Sequence, residues 1–272
     1  MPELPEVETT VKGLQSIRKQ KINKILIHTK KLRFQIPAGL KKLSVNNKIS
    51  NIKRIAKYIV LDLDNNYSLV IHLGMSGRLK INNNKFLKVK HDHVFLYLSN
   101  NKVLVYNDPR KFGFIDIKKT EHLKKQNYFL NLGLDALSKE LDSNILYNRI
   151  CKSQVPIKQI LLNQKIIAGI GNIYASEILF DAKISPLTPG KDLKIRLIMK
   201  LIFSIRKILK KAIRSGGSSI RDYRTTDGTL GNFQSNFKVY GKEGKIIGND
   251  KIIKLTQYGR STFYVPRIQN NK

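Results

Sequence analysis

The chain has 272 residues, 41% of them hydrophobic, with 51 Lys+Arg against 19 Asp+Glu and a formal net charge of +32. An excess of that size concentrates polyanions, of which nucleic acid is the commonest, although A+T-rich coding, which also swells Lys, Asn and Ile, is the plainer source of part of it. A single cysteine, Cys151, excludes a disulfide framework and any cysteine zinc site, and no apolar run approaches the ~18–20 residues of a membrane span.

The amino end carries Glu3, Glu6 and Glu8 rather than a basic-then-apolar leader, so a cytoplasmic protein without a signal peptide is expected. Pro5 followed by Glu6 and Glu8 is a helix start, because proline fits the first turn and carboxylates there face the positive end of the dipole. Val7, Val11 and Leu14 then recur at helical spacing. After about residue 20 the texture changes to short β-rich runs, "KINKILIH", "RIAKYIVLDL", "YSLVIHL", "HVFLYL", "KVLVY" and "FGFIDI", separated by Asn/Gly/Lys turns. Such spacing predicts an antiparallel sandwich or barrel.

From about residue 130 the pattern is helical. Pro156 opens a short helix with Ile157, Ile160 and Leu161, and Asn172 is placed to cap the next one, "IYASEILFDA". A longer helix is expected over roughly 191–214, with Leu197, Leu201, Ile205, Ile208 and Ile213 on one face and Gly216–Gly217 ending it. The tail closes in a hairpin whose turn is at Gly259 and whose second arm is "STFYV". The fold class is α+β in two domains: an amino-terminal helix and antiparallel β-sandwich over 1–130, then a helical domain over 131–225 that ends in a β-hairpin over 226–272.

The chemistry starts at "MPELPEVET". Removal of the initiator methionine would leave Pro2 as the terminal amine. Such an amine has a pKa of ~8 against ~10.4 for lysine, so far more of it is an unprotonated nucleophile near neutral pH. A secondary amine condenses with a carbonyl to a cationic iminium, an electron sink, and Glu3 beside it is a candidate proton donor. An ordinary solvated helix start is the plainer reading of this stretch alone. Met75 sits in a Gly-flanked turn, "HLGMSG", where an apolar tip can wedge into a base stack. Arg110 and Phe112 bring a cation and an aromatic to one turn, "DPRKFG". The "HDH" at 91–93 has two imidazoles and a carboxylate but no evident further ligand, which is weak for a metal. "GIGN" at 169–172 offers small residues at a helix start, where backbone N–H groups can approach a phosphate.

Taken together, "PELPEVET" at 2–9, "IAKY" at 55–58, "HLGMSG" at 72–77, "KHDHV" at 90–94, "DPRKFG" at 108–113, "GIGNIYASE" at 169–177, "SGGSSIRDY" at 215–223 and "VYGKEG" at 239–244 closely resemble bacterial formamidopyrimidine-DNA glycosylases, in family order and across essentially the whole chain. The resemblance implies removal of 8-oxoguanine and ring-opened purines from double-stranded DNA, followed by β,δ-elimination at the abasic site, in a monomer associated with the nucleoid. It implies that Pro2 attacks C1′ with Glu3 as general acid, that Lys57 serves β-elimination and phosphate contact, and that Glu6 and Glu177 support the catalytic site. Met75, Arg110 and Phe112 would fill the void left by a flipped nucleotide. His72, His91, Lys152, Lys158 and Asn172 would contact DNA, with His93 structural. Gly216, Gly217, Ser218 and Ser219 would open a mobile loop over the extruded base. The alternatives are a glycosylase of the endonuclease VIII type for oxidised pyrimidines, and a damage-binding protein without catalysis. Loss of Pro2, Glu3 or Lys57 would mark the latter, and all three are present.

The chain leaves the family at the ribbon. The family's ribbon is a four-cysteine zinc finger, and its ligand positions fall here on Ile247, Asp250, Val265 and Ile268. Three aliphatics and an aspartate make no tetrahedral zinc site, so no cofactor is expected. Either the ribbon is a decayed tail or it is a zincless finger in which aliphatic packing stands in for the metal. Arg260, at the position of the finger arginine assigned to flanking phosphates and δ-elimination, favours the zincless finger. Three aliphatic side chains at ~1.5–3 kcal/mol each supply less than a structural zinc at ~10–16 kcal/mol, which predicts a hairpin that is locally labile without DNA.

Overall fold

Proline in the first turn and a reciprocal capping box between Glu3 and Glu6 start helix α1 (Leu4–Leu14). Its Val7, Val11 and Leu14 are buried in the core of a β-sandwich. The computed structural model describes residues 2–219 and 224–270. Two four-stranded antiparallel sheets form the sandwich. One has the order β1 (Ile22–Ile27), β6 (Asp92–Leu98), β7 (Lys102–Asn107), β5 (Arg78–Asn83). The other has the order β2 (Ile49–Ile55), β3 (Tyr58–Leu63), β4 (Tyr67–His72), β8 (Phe114–Lys119). A short helix, α2 (Leu40–Ser44), lies between β1 and β2 in sequence.

The expected β-rich runs land on β1, β3, β4, β6, β7 and β8, but β2 and β5 were not among them as separate strands. Their sequences, "ISNIKRI" and "RLKINN", are too polar to stand out, and each is an edge strand with one neighbour. Pairing with β3 and β7 makes them strands, not their own composition. Besides the β1–β2 connection that carries α2, two loops pass from one sheet to the other, residues 73–77 from β4 to β5 and residues 108–113 from β7 to β8.

The helical elements are α3 (Asn127–Leu130), α4 (Ser143–Ile150), α5 (Ile157–Leu162), α6 (Asn172–Asp181) and α7 (Ile195–Arg214). A small parallel pair, β9 (Leu134–Asp135) with β10 (Ile167–Ala168), precedes α6. The buried stripe of α7 runs through Ile198, Leu201, Ile202, Ile205, Leu209 and Ala212. It is therefore offset from the expected face, and Leu197, Ile208 and Ile213 sit at its margin, half-buried. Gly171 rather than Asn172 is the N-cap of α6. Two hairpins end the chain: β11 (Ile246–Ile247) with β12 (Asp250–Lys251), and β13 (Ile253–Gln257) with β14 (Arg260–Tyr264).

Two compact units result, residues 1–130 with 213–234, and residues 131–212 with 235–272. This differs from the three consecutive segments expected. The stretch just after α7 packs with the sandwich, where Ser218 is held by Glu6. No helix among the described residues is long and apolar enough to cross a membrane.

Candidate functional site

In the sandwich unit, Pro2, Glu3 and Glu6 are buried at the head of α1. The Glu3 N–H donates to Glu6 Oε2 at 2.8 Å. Glu6 Oε1 accepts from both the N–H (2.8 Å) and the hydroxyl (3.0 Å) of Ser218. One carboxylate thus fixes the amino end and the root of the 215–219 loop. A side chain on Gly217, at φ +78, would press on the Glu6 Cγ and Oε1 at 3.1 Å, so the position favours glycine twice over. Ser219 is tied as well: its N–H donates to Gln234 Oε1 and its Oγ accepts from the Gly231 N–H, both at 2.9 Å. Gly216 also has a positive φ, of 75°. The rest of the expected loop, 220–223, lies outside the described residues.

Lys57 lies in the β2–β3 turn, where Ala56 takes a left-handed φ of 51°. Arg54 braces that turn, donating from Nη1 to Ala56 O at 2.9 Å while its Nε pairs with Glu8 Oε2 at 2.7 Å. The Lys57 side chain is buried, and its charge reaches His72. His72 stands opposite Tyr58 across β3–β4 and stacks on Phe114 at 5.6 Å. Burial, then the Lys57 and Arg33 charges, push its pKa down to about 4, against a partial opposing pull from Asp108. Its Nδ1 accepts from the Gly74 N–H at 3.1 Å. The proton of the neutral ring is therefore on Nε2, which makes His72 a neutral donor suited to a phosphate oxygen.

The loops carrying Met75 and the Arg110/Phe112 pair are joined. Met75 and Phe112 are exposed, at 38% and 45%, which leaves two large apolar tips in solvent. The Arg110 guanidinium stacks over the Phe112 ring at 4.7 Å. Beneath them Asp108, fully buried, accepts from the Ser76 hydroxyl at 2.6 Å, the Gly113 N–H at 2.9 Å and the Tyr106 hydroxyl at 3.3 Å. The Arg110 N–H returns to Ser76 Oγ at 3.1 Å. A Cβ on Gly74 would collide with the Gly113 backbone. Asp108 and Ser76 were not singled out from sequence, since a lone Asp before proline reads as a turn residue.

The "HDH" stretch holds no metal cluster: among the described residues, no group of three or more His, Cys, Asp or Glu could hold an ion. The Asp92 carboxylate is engaged by Lys80, Asn107 and the Val89 N–H. His93 is buried with Nε2 2.9 Å from Asp108 O, and burial lowers its pKa. His91, half-buried at φ +71, is the more accessible of the pair.

In the helical unit two of the expected site residues meet protein partners. Lys158 is wholly buried, and its ammonium donates to Ser261 O at 2.9 Å and Thr262 Oγ1 at 2.7 Å. Through these bonds it is a strut for β14. Glu177, also buried, accepts from three consecutive backbone N–H groups: Lys238 (2.8 Å), Val239 (2.9 Å) and Tyr240 (2.8 Å). Its carboxylate thereby holds the base of the ribbon. Asn172 turns its Nδ2 toward Ser261 O at 3.0 Å, beside Arg260. Arg260 is exposed at the start of β14, after a two-residue turn in which Tyr258 (φ 48°) and Gly259 (φ 72°) are both left-handed, the geometry favoured for tight hairpins. Lys152 is exposed just after α4.

Comparison with known proteins agrees with this layout. A family model described as the formamidopyrimidine-DNA glycosylase N-terminal domain matches residues 1–115, and one described as the formamidopyrimidine-DNA glycosylase H2TH domain matches residues 132–224. A formamidopyrimidine-DNA glycosylase of Zymomonas mobilis is 44% identical over 99% of this chain and 100% of its own length. The Lactococcus lactis Fpg solved in complex with abasic-site DNA is similar with a TM-score of 0.91 at 34% identity, over 99% of this chain and 100% of that one. The wild-type Lactococcus lactis protein with DNA containing N7-benzyl-Fapy-dG gives a TM-score of 0.90 at 34% identity, with the same coverage. With matches that span both units and nearly every residue, the chain belongs to the formamidopyrimidine-DNA glycosylase family.

Proposed function

We propose that the protein is a base-excision-repair enzyme that removes oxidised and ring-opened purines from double-stranded DNA and then cleaves the strand at the abasic site. The observation that carries this reading is the Glu6 carboxylate, which holds the amino end through Glu3 and the loop root through Ser218. A nucleophile and the loop expected to cover a flipped base are thereby registered to one another. Extrusion of the nucleotide comes first, since C1′ is out of reach inside the stack.

The Pro2 nitrogen, free once Met1 is removed, attacks C1′ as the C1′–N9 bond breaks. Glu3 is the proton donor in this scheme. Ring opening of the sugar gives an iminium, whose positive nitrogen takes up the electron pair released when a C2′ proton is lost; that pair then returns to expel the 3′ phosphate, which leaves with its bonding electrons. Lys57 serves that elimination, and Arg260 the second one, which expels the 5′ phosphate. Neutral His72 donates Nε2–H to a phosphate. Met75, Arg110 and Phe112 occupy the gap in the stack. The protein acts as a cytoplasmic monomer on the DNA.

Borohydride reduces the iminium to a stable amine, so incubation with a duplex carrying 8-oxoguanine opposite cytosine should give a covalent protein–DNA band. Absence of that band, in a preparation shown by mass spectrometry to begin at Pro2, would overturn the reading. Trapping with oxidised pyrimidines alone would overturn the choice of substrate.

A further inference from the structure

The positions at which the family's ribbon carries cysteines hold Ile247, Asp250, Val265 and Ile268. Ile247, Val265 and Ile268 share one apolar cluster with Val239, Ile252 and Phe263. Val265 is fully buried within it, while Asp250 turns to Arg267 at 3.7 Å. One oxygen ligand among hydrocarbon does not fit a zinc ion. The place a metal would take is filled by side chains.

An apolar plug alone fixes no register, being non-directional. Directional contacts come from the helices. The buried Lys158 ammonium and the Asn172 amide converge on one carbonyl, Ser261 O, next to Arg260. Lys158 also holds the Thr262 hydroxyl, which donates to the buried Gln257 across the hairpin at 2.9 Å. Glu177 gathers the three N–H groups of 238–240 where the chain enters the ribbon. At the exit, the Gln269 side chain joins the Val265 N–H to Ile184 O, both at 2.8 Å.

We propose that the ribbon is set without a metal, by the apolar plug together with Lys158 and Glu177 as positioning residues that hold Arg260 in register. The role of Arg260 rests on the function proposed above; the mode of support does not. Both charges are buried, and each meets several partners of the opposite polarity, which is the condition under which a buried ion orients its surroundings rather than disrupting them. The hold on the hairpin is thus larger than its aliphatic side chains alone suggest, and its backbone is protected without DNA.

The test uses the full-length protein expressed with zinc supplied. Zinc is measured per chain, and backbone hydrogen exchange over 253–265 is followed with and without excess chelator. The expected result is far less than stoichiometric zinc and exchange that is slow and indifferent to chelator. Stoichiometric zinc, or protection lost on chelation, would overturn the proposal while leaving the trapping result, and so the proposed activity, untouched. Failure of trapping with chelator-indifferent exchange would do the reverse. Lys158→Met and Glu177→Gln should speed exchange by tenfold or more at 253–265 and 238–240, leave β3 and β4 unchanged, and raise KM for lesion duplex with little change in borohydride trapping at saturating DNA. Thr262→Val, which removes one partner of Lys158, should give a smaller shift in the same direction and serves if Lys158→Met does not fold. Unchanged exchange and KM in these variants would remove Lys158 and Glu177 from the proposal.

Discussion

The Ser76 hydroxyl donates to Asp108 Oδ1 at 2.6 Å, and this bond joins the two loops that carry the exposed side chains Met75, Arg110 and Phe112. The Asp108 carboxyl group receives three donors in a fully buried place. Asp108→Asn would turn an amide N–H₂ toward at least one of them. An unsatisfied buried donor costs about 1–3 kcal/mol, so a lower melting temperature is expected. Affinity for a lesion duplex should fall with it, as the loops come apart. Denaturant melts and duplex titration of the variant check both.

His72 should make the fold sensitive to acid. Its folded pKa, about 4, lies below the unfolded value of ~6.5. The folded state therefore resists the proton that the unfolded state accepts. The stability this residue supplies is complete above ~6.5 and is lost as pH falls toward the folded pKa. From about pH 7 to about pH 4.5 the loss is on the order of 2 kcal/mol. His72→Asn should flatten that part of the stability profile, measured by urea unfolding at both pH values.

Glu6→Gln tests the clasp between the amino end and the 215–219 loop. Glu6 accepts from Glu3 and twice from Ser218, and an amide must turn its own N–H₂ toward one of these donors. The expected stability loss is about 1–3 kcal/mol. Borohydride trapping should slow by more than that loss explains, because both the nucleophile and the loop root shift. Single-turnover trapping at a temperature well below the melt separates the two effects.

Arg260 is exposed, so Arg260→Gln should leave the melting temperature unchanged. It should weaken lesion and undamaged duplex alike and reduce the slope of log K against log salt by about 1. With a net charge of +32, the wild-type slope itself should be steep. Titrations across a series of salt concentrations give both numbers.

Much of this was legible in the chain. Helix α1, most of the sandwich strands and the hairpin turn at Gly259 follow from local spacing and turn chemistry. The residues proposed for catalysis sit in short motifs whose neighbours explain them, such as Lys57 in a turn opened by a left-handed Ala56. The buried partners were not legible. Lys158 meets Ser261 and Thr262 more than a hundred residues away, and one more lysine in so basic a chain carries no mark of burial. Glu177 finds its partners in backbone N–H groups, which every residue has. The strands β2 and β5 owe their state to a neighbour across the ladder, which no local window contains.

The close approach of Gly74 to Gly113 has a mechanical meaning. Two loops packed backbone against backbone move as a single stiff body, and the three side chains on them arrive together. When a rigid probe meets a flexible duplex, the deformation falls on the duplex. Base steps that stack poorly, through damage or mismatch, yield to such a probe first. In this protein the search for a lesion would therefore begin as a reading of local DNA stiffness, before any chemical group of the damaged base is touched.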